Sequence, residues 1–308
     1  MAALKIGITP SSFATSNPAP KQALLDAGVE VIDNPYKRRL TEDEALEYLA
    51  DKDGLIAGLE PLTRKVLSNA KSLKAIARVG IGMDNLDLEA AKELGIKVSN
   101  TPDGPTNAVA ELTVAMALTL SRKILEINHG MHQGQWTKKI GTGLSGRKVL
   151  FVGYGRIGRR TADFMRFFGA EILVNDPCVE DCSLQHGEQC VALHEGLAQA
   201  DFISLHASCC KPLLGAAEFE AVKPGVILLN SARGELVDED ALIQALQRGT
   251  VAGGWFDAFW QEPYSGRLLQ FENMILTPHV GTYTEQCRLG MEMEAVHNLL
   301  RDLGISNQ

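Results

Sequence analysis

No stretch of this sequence is long and apolar enough to cross a bilayer. The longest apolar run, residues 109–120, is interrupted by Glu111 and falls well short of the ~18 to 20 residues a span requires, so it reads as a buried helix. Basic charge is outnumbered: 30 Lys and Arg stand against 38 Asp and Glu, a formal net charge of −8. Nucleic acid and anionic membrane surfaces both need a positive field to recruit a protein, so neither is expected as a partner. A small molecule is the remaining ligand class. The first residues run straight into a strand-like pattern at 4–7, with no basic n-region, apolar h-region or small-residue cleavage site, so no export address is expected. The six cysteines lack the spacing of a disulfide scaffold, and a domain of this size needs no bridges to fold. A reducing, cytoplasmic setting is expected. Cys178, Cys182 and His186 come nearest to a metal set, but no paired ligands stand elsewhere in the chain, and no metal is expected.

What is present is ordinary globular composition, 308 residues with 45% hydrophobic and 22% charged side chains, enough for two domains. Short apolar runs at 5–8, 30–32, 54–57, 74–78 and 96–99 alternate with helix-compatible segments, the signature of a parallel α/β sheet. One such segment, 41–50, opens with Thr41 three residues before Glu44, the spacing of a capping box. A long helix is expected over 107–127 and a loop over 130–146. A second series follows, with strands expected at 148–152, 171–175, 201–206, 226–230, 251–256 and 273–277. Six strands with intervening helices are the count of a full dinucleotide-binding fold. The fold class expected is therefore α/β in two domains. A Rossmann-type doubly wound parallel sheet spans 102–283, and a flavodoxin-like α/β unit spans 1–101, to which the helix-like tail 284–308 returns.

The turn Gly153-Tyr154-Gly155-Arg156-Ile157-Gly158 follows the strand at 148–152 and opens a helix expected from about residue 159. A bare G-x-G-x-x-G says little, but this placement is the one that nucleotide binding requires. Gly153 permits the tight turn, Gly155 lets backbone approach a pyrophosphate, and Gly158 lets the helix pack on the strand. The helix N-terminus offers N–H groups and a positive dipole end to phosphates. Eighteen residues beyond Gly158 stands Asp176, directly after the next strand, where a carboxylate accepts from ribose hydroxyls and repels a 2′-phosphate. Neither Pro177 nor Cys178 supplies a cation for such a phosphate, so NAD is the cofactor expected.

In an open parallel sheet the ligand lies beyond the carboxyl ends of the strands. Arg233, Glu262 and His279 follow successive strands there. Arginine stays charged and binds carboxylate in a bidentate fork; histidine delivers protons near neutral pH; a neighbouring glutamate stabilises the imidazolium and fixes its orientation. Together they suit reduction of a 2-oxo acid. His206 also ends a strand and stands equally for a group lining the cofactor pocket and for a structural one. The other histidines, at 129, 132, 186, 194 and 297, fall in loops or helices away from strand ends.

These residues, with the segments 78–85 (Arg-Val-Gly-Ile-Gly-Met-Asp-Asn), 100–102, 230–234, 257–263 and 277–281, resemble the D-isomer-specific 2-hydroxyacid dehydrogenases over nearly the whole chain. The resemblance implies a catalytic Arg233, a supporting Glu262 and a proton donor His279. It implies substrate contacts from Arg78, Val79 and Gly80, and cofactor contacts from Ile81, Arg156, Ile157, Asp176, Pro177, Ala207, Ser231, Ala232, Asp257 and Gly281. It also implies that 1–101 carries the substrate and that a homodimer forms through the NAD-binding domain. The nearest branch is the phosphoglycerate dehydrogenase-like one, through Ala110-Glu-Leu-Thr113 and Gly134-Gln-Trp136. Two departures stand against that branch: Gly58-Leu59 replaces an Arg-Ser pair, and no regulatory extension is expected after Gln308. After His206 the sequence reads Ala-Ser in place of x-Pro, ahead of a loop that looks shortened. A rival from another class is an NAD-sensing, corepressor-type binding protein; a rival enzyme is a formate or phosphite dehydrogenase on the same scaffold.

Overall fold

The computed structural model describes residues 3–179, 186–209 and 211–305, so Cys182 of the considered metal set lies outside the described residues. The chain divides into two compact units, Met1–Pro105 with Thr282–Gln308, and Thr106–Gly281.

The first unit alternates strand and helix: β1 (Lys5–Ile8), α1 (Ala19–Asp26), β2 (Glu30–Asp33), α2 (Glu42–Tyr48), β3 (Gly54–Ala57), α3 (Arg64–Asn69), β4 (Ala75–Arg78), α4 (Leu88–Glu93) and β5 (Lys97–Ser99). The strands pair in parallel in the order β2-β1-β3-β4-β5, the flavodoxin-like arrangement. β3 and β4 are buried at every residue, as strands covered by helices on both faces must be. Short side chains start the helices. Thr41 and Glu44 form a reciprocal capping box on α2, while Thr63 and Asp87 accept from the third helical amide of α3 and α4.

The second unit opens with α5 (Pro105–Ser121) and α6 (Ile124–His132). The single helix expected over 107–127 is therefore two: Lys123 takes a left-handed conformation, φ 53°, which no α-helix accommodates. The loop expected from 130 begins after His132. Then come β6 (Lys148–Val152), α7 (Arg156–Phe167), β7 (Glu171–Asn175), β8 (Gln189–Cys190), α8 (Leu193–Gln199), β9 (Phe202–Leu205), α9 (Ala216–Ala221), β10 (Val226–Asn230), α10 (Glu239–Gln247), β11 (Val251–Phe256) and β12 (Met274–Leu276). Among the described residues these form one parallel sheet in the order β12-β11-β10-β9-β6-β7-β8. The expected six strands miss β8, whose two residues are too few to show a period. With β8 present, the Rossmann order is complete and β12 is an added edge strand. Trp255, Phe151 and Phe202 are essentially fully buried in this unit. The chain ends with α11 (Glu285–Asp302), which packs on β3, β4 and β5 of the first unit.

Candidate active site

Strand order reverses between β6 and β9, and the turn 153–158 stands at the end of β6. Two of its glycines are demanded by the protein itself. Gly153 has φ +91°, and a Cβ there would lie 2.4 Å from the Ala207 amide nitrogen; one on Gly158 would lie 2.6 Å from the Gly153 carbonyl oxygen. Gly155 differs: a Cβ on it meets no protein atom within 4 Å. It is also the N-cap of α7 and has no side chain to bond the first helical amides. Open space before a helix N-terminus whose N-cap is glycine fits a pyrophosphate. The helix starts at Arg156, three residues before the expected 159, so Arg156 and Ile157 are its first two residues, Arg156 exposed and Ile157 half-buried.

Asp176 is half-buried and joined to the turn. Its Oδ2 accepts from the Tyr154 amide at 2.6 Å and its Oδ1 from the Cys178 amide at 2.8 Å; the intervening Pro177 is exposed. Tyr154 is buried, and its hydroxyl bonds Glu188 Oε1 at 3.0 Å. The backbone of His206 and Ala207 lies under Gly153. The His206 ring turns inward: it stacks on buried Phe151 with centroids 5.7 Å apart, and its Nε2 lies 2.8 Å from the Ser204 hydroxyl. Burial pushes its pKa down to about 4, so the ring is neutral at ordinary pH. Of the two roles left open for His206, this geometry favours the structural one.

The later strand ends carry the remaining groups. Asn230, fully buried, accepts from the Ala232 amide at 3.0 Å and donates to the Arg233 carbonyl at 2.8 Å. That clamp shapes the Ser231-Ala232-Arg233 loop, and its weight is not visible in the sequence. Arg233 is half-buried, with one guanidinium nitrogen 2.8 Å from the Ala232 carbonyl. A Cβ on Gly234 would sit 2.3 Å from the Trp260 amide nitrogen, so glycine lets the Arg233 loop press against the loop that carries Glu262. Glu262 reaches His279: Nδ1 lies 2.9 Å from Oε1 and 3.1 Å from Oε2. The Phe259 amide donates to the same Oε1 at 3.2 Å.

His279 has φ 56°, a left-handed conformation costly for a side chain with Cβ. Asp257 holds the segment there. This buried carboxylate accepts from the Val280 amide at 2.8 Å, the Gly281 amide at 2.7 Å and the Thr277 hydroxyl at 2.5 Å. Thr277 in turn accepts from the buried indole of Trp255 at 2.8 Å. Asp257 and Gly281 thus lie together beneath the His279 turn.

In the first unit, the loop after β4 is locked from behind. The Gly80 amide donates to Thr101 Oγ1 at 2.8 Å, the Gly80 carbonyl accepts from the Thr101 amide at 3.1 Å, and the Ile81 carbonyl accepts from Asn100 at 2.9 Å. Gly80 has φ +135°, and a Cβ there would strike the Arg78 guanidinium at 2.7 Å. Arg78 is buried and folded back onto the Val79 carbonyl. The segment 78–81 is therefore a rigid backbone rim over a buried cation.

The family model for the D-isomer specific 2-hydroxyacid dehydrogenase, NAD binding domain, matches residues 114–281. The chain belongs to this dehydrogenase family. Residues 114–281 are accordingly its NAD-binding domain. A glyoxylate reductase of Thermococcus litoralis is 34% identical to this family member over 298 residues, covering 89% of each chain. A hydroxypyruvate reductase of Thermotoga maritima is 33% identical over 86% of this chain and 90% of its own. Human D-3-phosphoglycerate dehydrogenase is 38% identical over 90% of this chain but 53% of its own length. The chain spans about half the length of the phosphoglycerate dehydrogenases it matches. Among solved structures, the TT0316 protein of Thermus thermophilus superposes with a TM-score of 0.89 at 33% identity, covering 98% of this chain and 97% of that one.

Proposed function

We propose that this chain is an NAD-dependent dehydrogenase, working as a reductase, that interconverts a small D-2-hydroxy acid and its 2-oxo acid, of the hydroxypyruvate or 3-phosphoglycerate kind. The observation that carries the proposal is the Glu262–His279 pair, with Nδ1 held at 2.9 Å, on a loop packed against the one that bears Arg233. Because Glu262 occupies Nδ1, Nε2 is the nitrogen that gives a proton to the carbonyl oxygen as it becomes hydroxyl. Arg233 binds the substrate carboxylate and polarises the carbonyl. Val79, Gly80 and Ile81 offer a fixed backbone rim to the substrate, and Arg78 beneath them adds positive charge. The bound nicotinamide supplies the hydride. Its dinucleotide would be held by Gly153, Gly155, Arg156, Ile157 and Gly158 at the pyrophosphate, by Asp176 and Pro177 at the adenosine ribose, and by the loops bearing Ala207, Ser231, Ala232 and Asp257 towards the nicotinamide. Asp176 selects NAD over NADP by charge.

Two further parts of the reading concern assembly and place. A homodimer through the second unit is supported by exposed apolar side chains on α6 and the segment after it: Ile124, Leu125 and Met131 are exposed, and Trp136 and Ile140 are 80% and 93% exposed. Large apolar side chains left this exposed mark association surfaces when they adjoin. A cytoplasmic setting is supported by cysteine usage.

The deciding experiment is NADH oxidation with glyoxylate, hydroxypyruvate, phosphohydroxypyruvate and larger 2-oxo acids. Turnover is expected with at least one, and His279→Ala is expected to lower kcat by ~10²-fold or more, as loss of a general acid does. Tight NADH binding with no turnover across the panel would replace this reading with that of an NAD sensor.

A further inference from the structure

The first unit buries a carboxylate at the end of its sheet that the proposed chemistry does not use. Glu60 is 1% exposed and stands three residues past β3. Strand order in this sheet reverses between β1 and β3, the switch point where an open α/β sheet leaves a crevice for a ligand. The hydrogen-bond donors at that point are the Thr9 hydroxyl, just after β1, and the Gly58 amide, just after β3. Both are turned onto Glu60. Thr9 Oγ1 donates to Oε1 at 2.6 Å, and the Gly58 nitrogen lies 3.2 Å from Oε1 and 3.1 Å from Oε2. Asn85 donates to the Gly58 carbonyl at 3.4 Å and the Glu60 carbonyl at 2.6 Å, which fixes the loop in this shape. Burial raises the Glu60 pKa above the usual carboxylate range, and the Thr9 and Gly58 hydrogen bonds and the Arg78 charge only partly offset that rise.

Hydroxyl, backbone N–H and a nearby guanidinium are what a protein offers to a ligand's anionic group. Here the chain answers them with its own carboxylate. The side chain that the loop leaves partly exposed is Leu59. β3 and β4 are neighbours, and adjacent strands lie ~4.8 Å apart, so the tail of a three-carbon acid engaged at the loop after β4 reaches the loop after β3.

We propose that Glu60 sets the charge class of the substrate: the chain accepts 2-oxo acids whose sole anionic group is the carboxylate beside the carbonyl, and rejects those with a second anion at the far end. This rests on the dehydrogenase reading above and narrows it from either kind of acid to the unphosphorylated one. It also sets this chain apart from the phosphoglycerate dehydrogenases to which it is similar.

The test is kcat/KM with NADH for hydroxypyruvate against its 3-phosphate. Wild-type protein is expected to prefer the unphosphorylated acid by at least ~10²-fold, the scale of a like charge a few ångströms away in a partly dry site. Glu60→Gln, which removes the charge and keeps the shape, is expected to narrow that preference at least ~10-fold. Equal or better use of the phosphorylated acid by the wild type, or an unchanged ratio in the variant, overturns the proposal. Should Glu60→Gln not fold, a second pair read in the wild type decides: 2-oxobutyrate must exceed oxaloacetate, and the reverse order overturns the proposal. If no 2-oxo acid is reduced, the dehydrogenase reading falls. Charge discrimination is then read from thermal unfolding of the NADH-saturated protein: protection by hydroxypyruvate alone supports the proposal, and equal or greater protection by the 3-phosphate overturns it.

Discussion

Individual side chains here do two opposite things with charge. His279 is kept half-exposed and bonded to Glu262, while His206 is turned onto Phe151 and Ser204 and held neutral. The second arrangement ties stability to pH. The His206 pKa is about 4 in the folded chain against roughly 6.5 for an unperturbed histidine. Above the unfolded value the ring is neutral in both states and adds no pH dependence. As pH falls through 6.5 towards 4 the unfolded chain takes up a proton that the folded chain refuses, so stability drops, by about 3 kcal/mol in all. Denaturant unfolding at pH 7 and pH 4 should show wild type losing about that much more than His206→Asn. Parallel losses in the two proteins would mean that the ring is not buried neutral. The sequence marked His206 as a strand-end residue; which way its ring turns depends on Phe151 and Ser204, on two other positions of the sheet.

At the level of elements, the glycine turn separates what folding demands from what a ligand demands. Gly153 takes a positive φ and touches the Ala207 backbone, whereas Gly155 faces open space. Gly153→Ala is therefore expected to lower the unfolding free energy by ~1 to 3 kcal/mol through overpacking. Gly155→Val is expected to leave the thermal midpoint within about a degree or two of wild type while weakening NADH binding ~10-fold or more by filling the approach to the helix N-terminus. Calorimetry and NADH fluorescence titration read the two effects separately. A Gly155→Val protein that binds NADH normally would remove the turn from the cofactor site. Local signals were reliable for elements with strong chemistry of their own. The Thr41 and Glu44 box, and apolar runs such as 54–57, 148–152 and 226–230, coincide with α2, β3, β6 and β10. They failed where chemistry was weak, at two-residue β8 and at Lys123, whose side chain gives no hint of its left-handed backbone.

For the whole molecule, assembly is read from mass. Light scattering should give twice the chain mass of 33.4 kDa, and Ile140→Asp with Trp136→Asp should shift it to one, because charge in place of these exposed apolar side chains opposes their burial. A wild-type monomer would overturn the dimer. What the sequence by itself determined is the succession of strands and helices, the glycine turn with its acid, and the types of residue standing past each strand, because these rest on spacing and intrinsic chemistry. Only the tertiary structure decided how they meet: Glu262 on His279, Asp257 under the turn that holds it, and Glu60 closed over Thr9 and Gly58 at the switch point of its sheet. Apart from Glu60 on Gly58, those contacts join loops that follow different strands, where strand order, burial and the space beside each glycine set the partner, and none of these can be read along the chain.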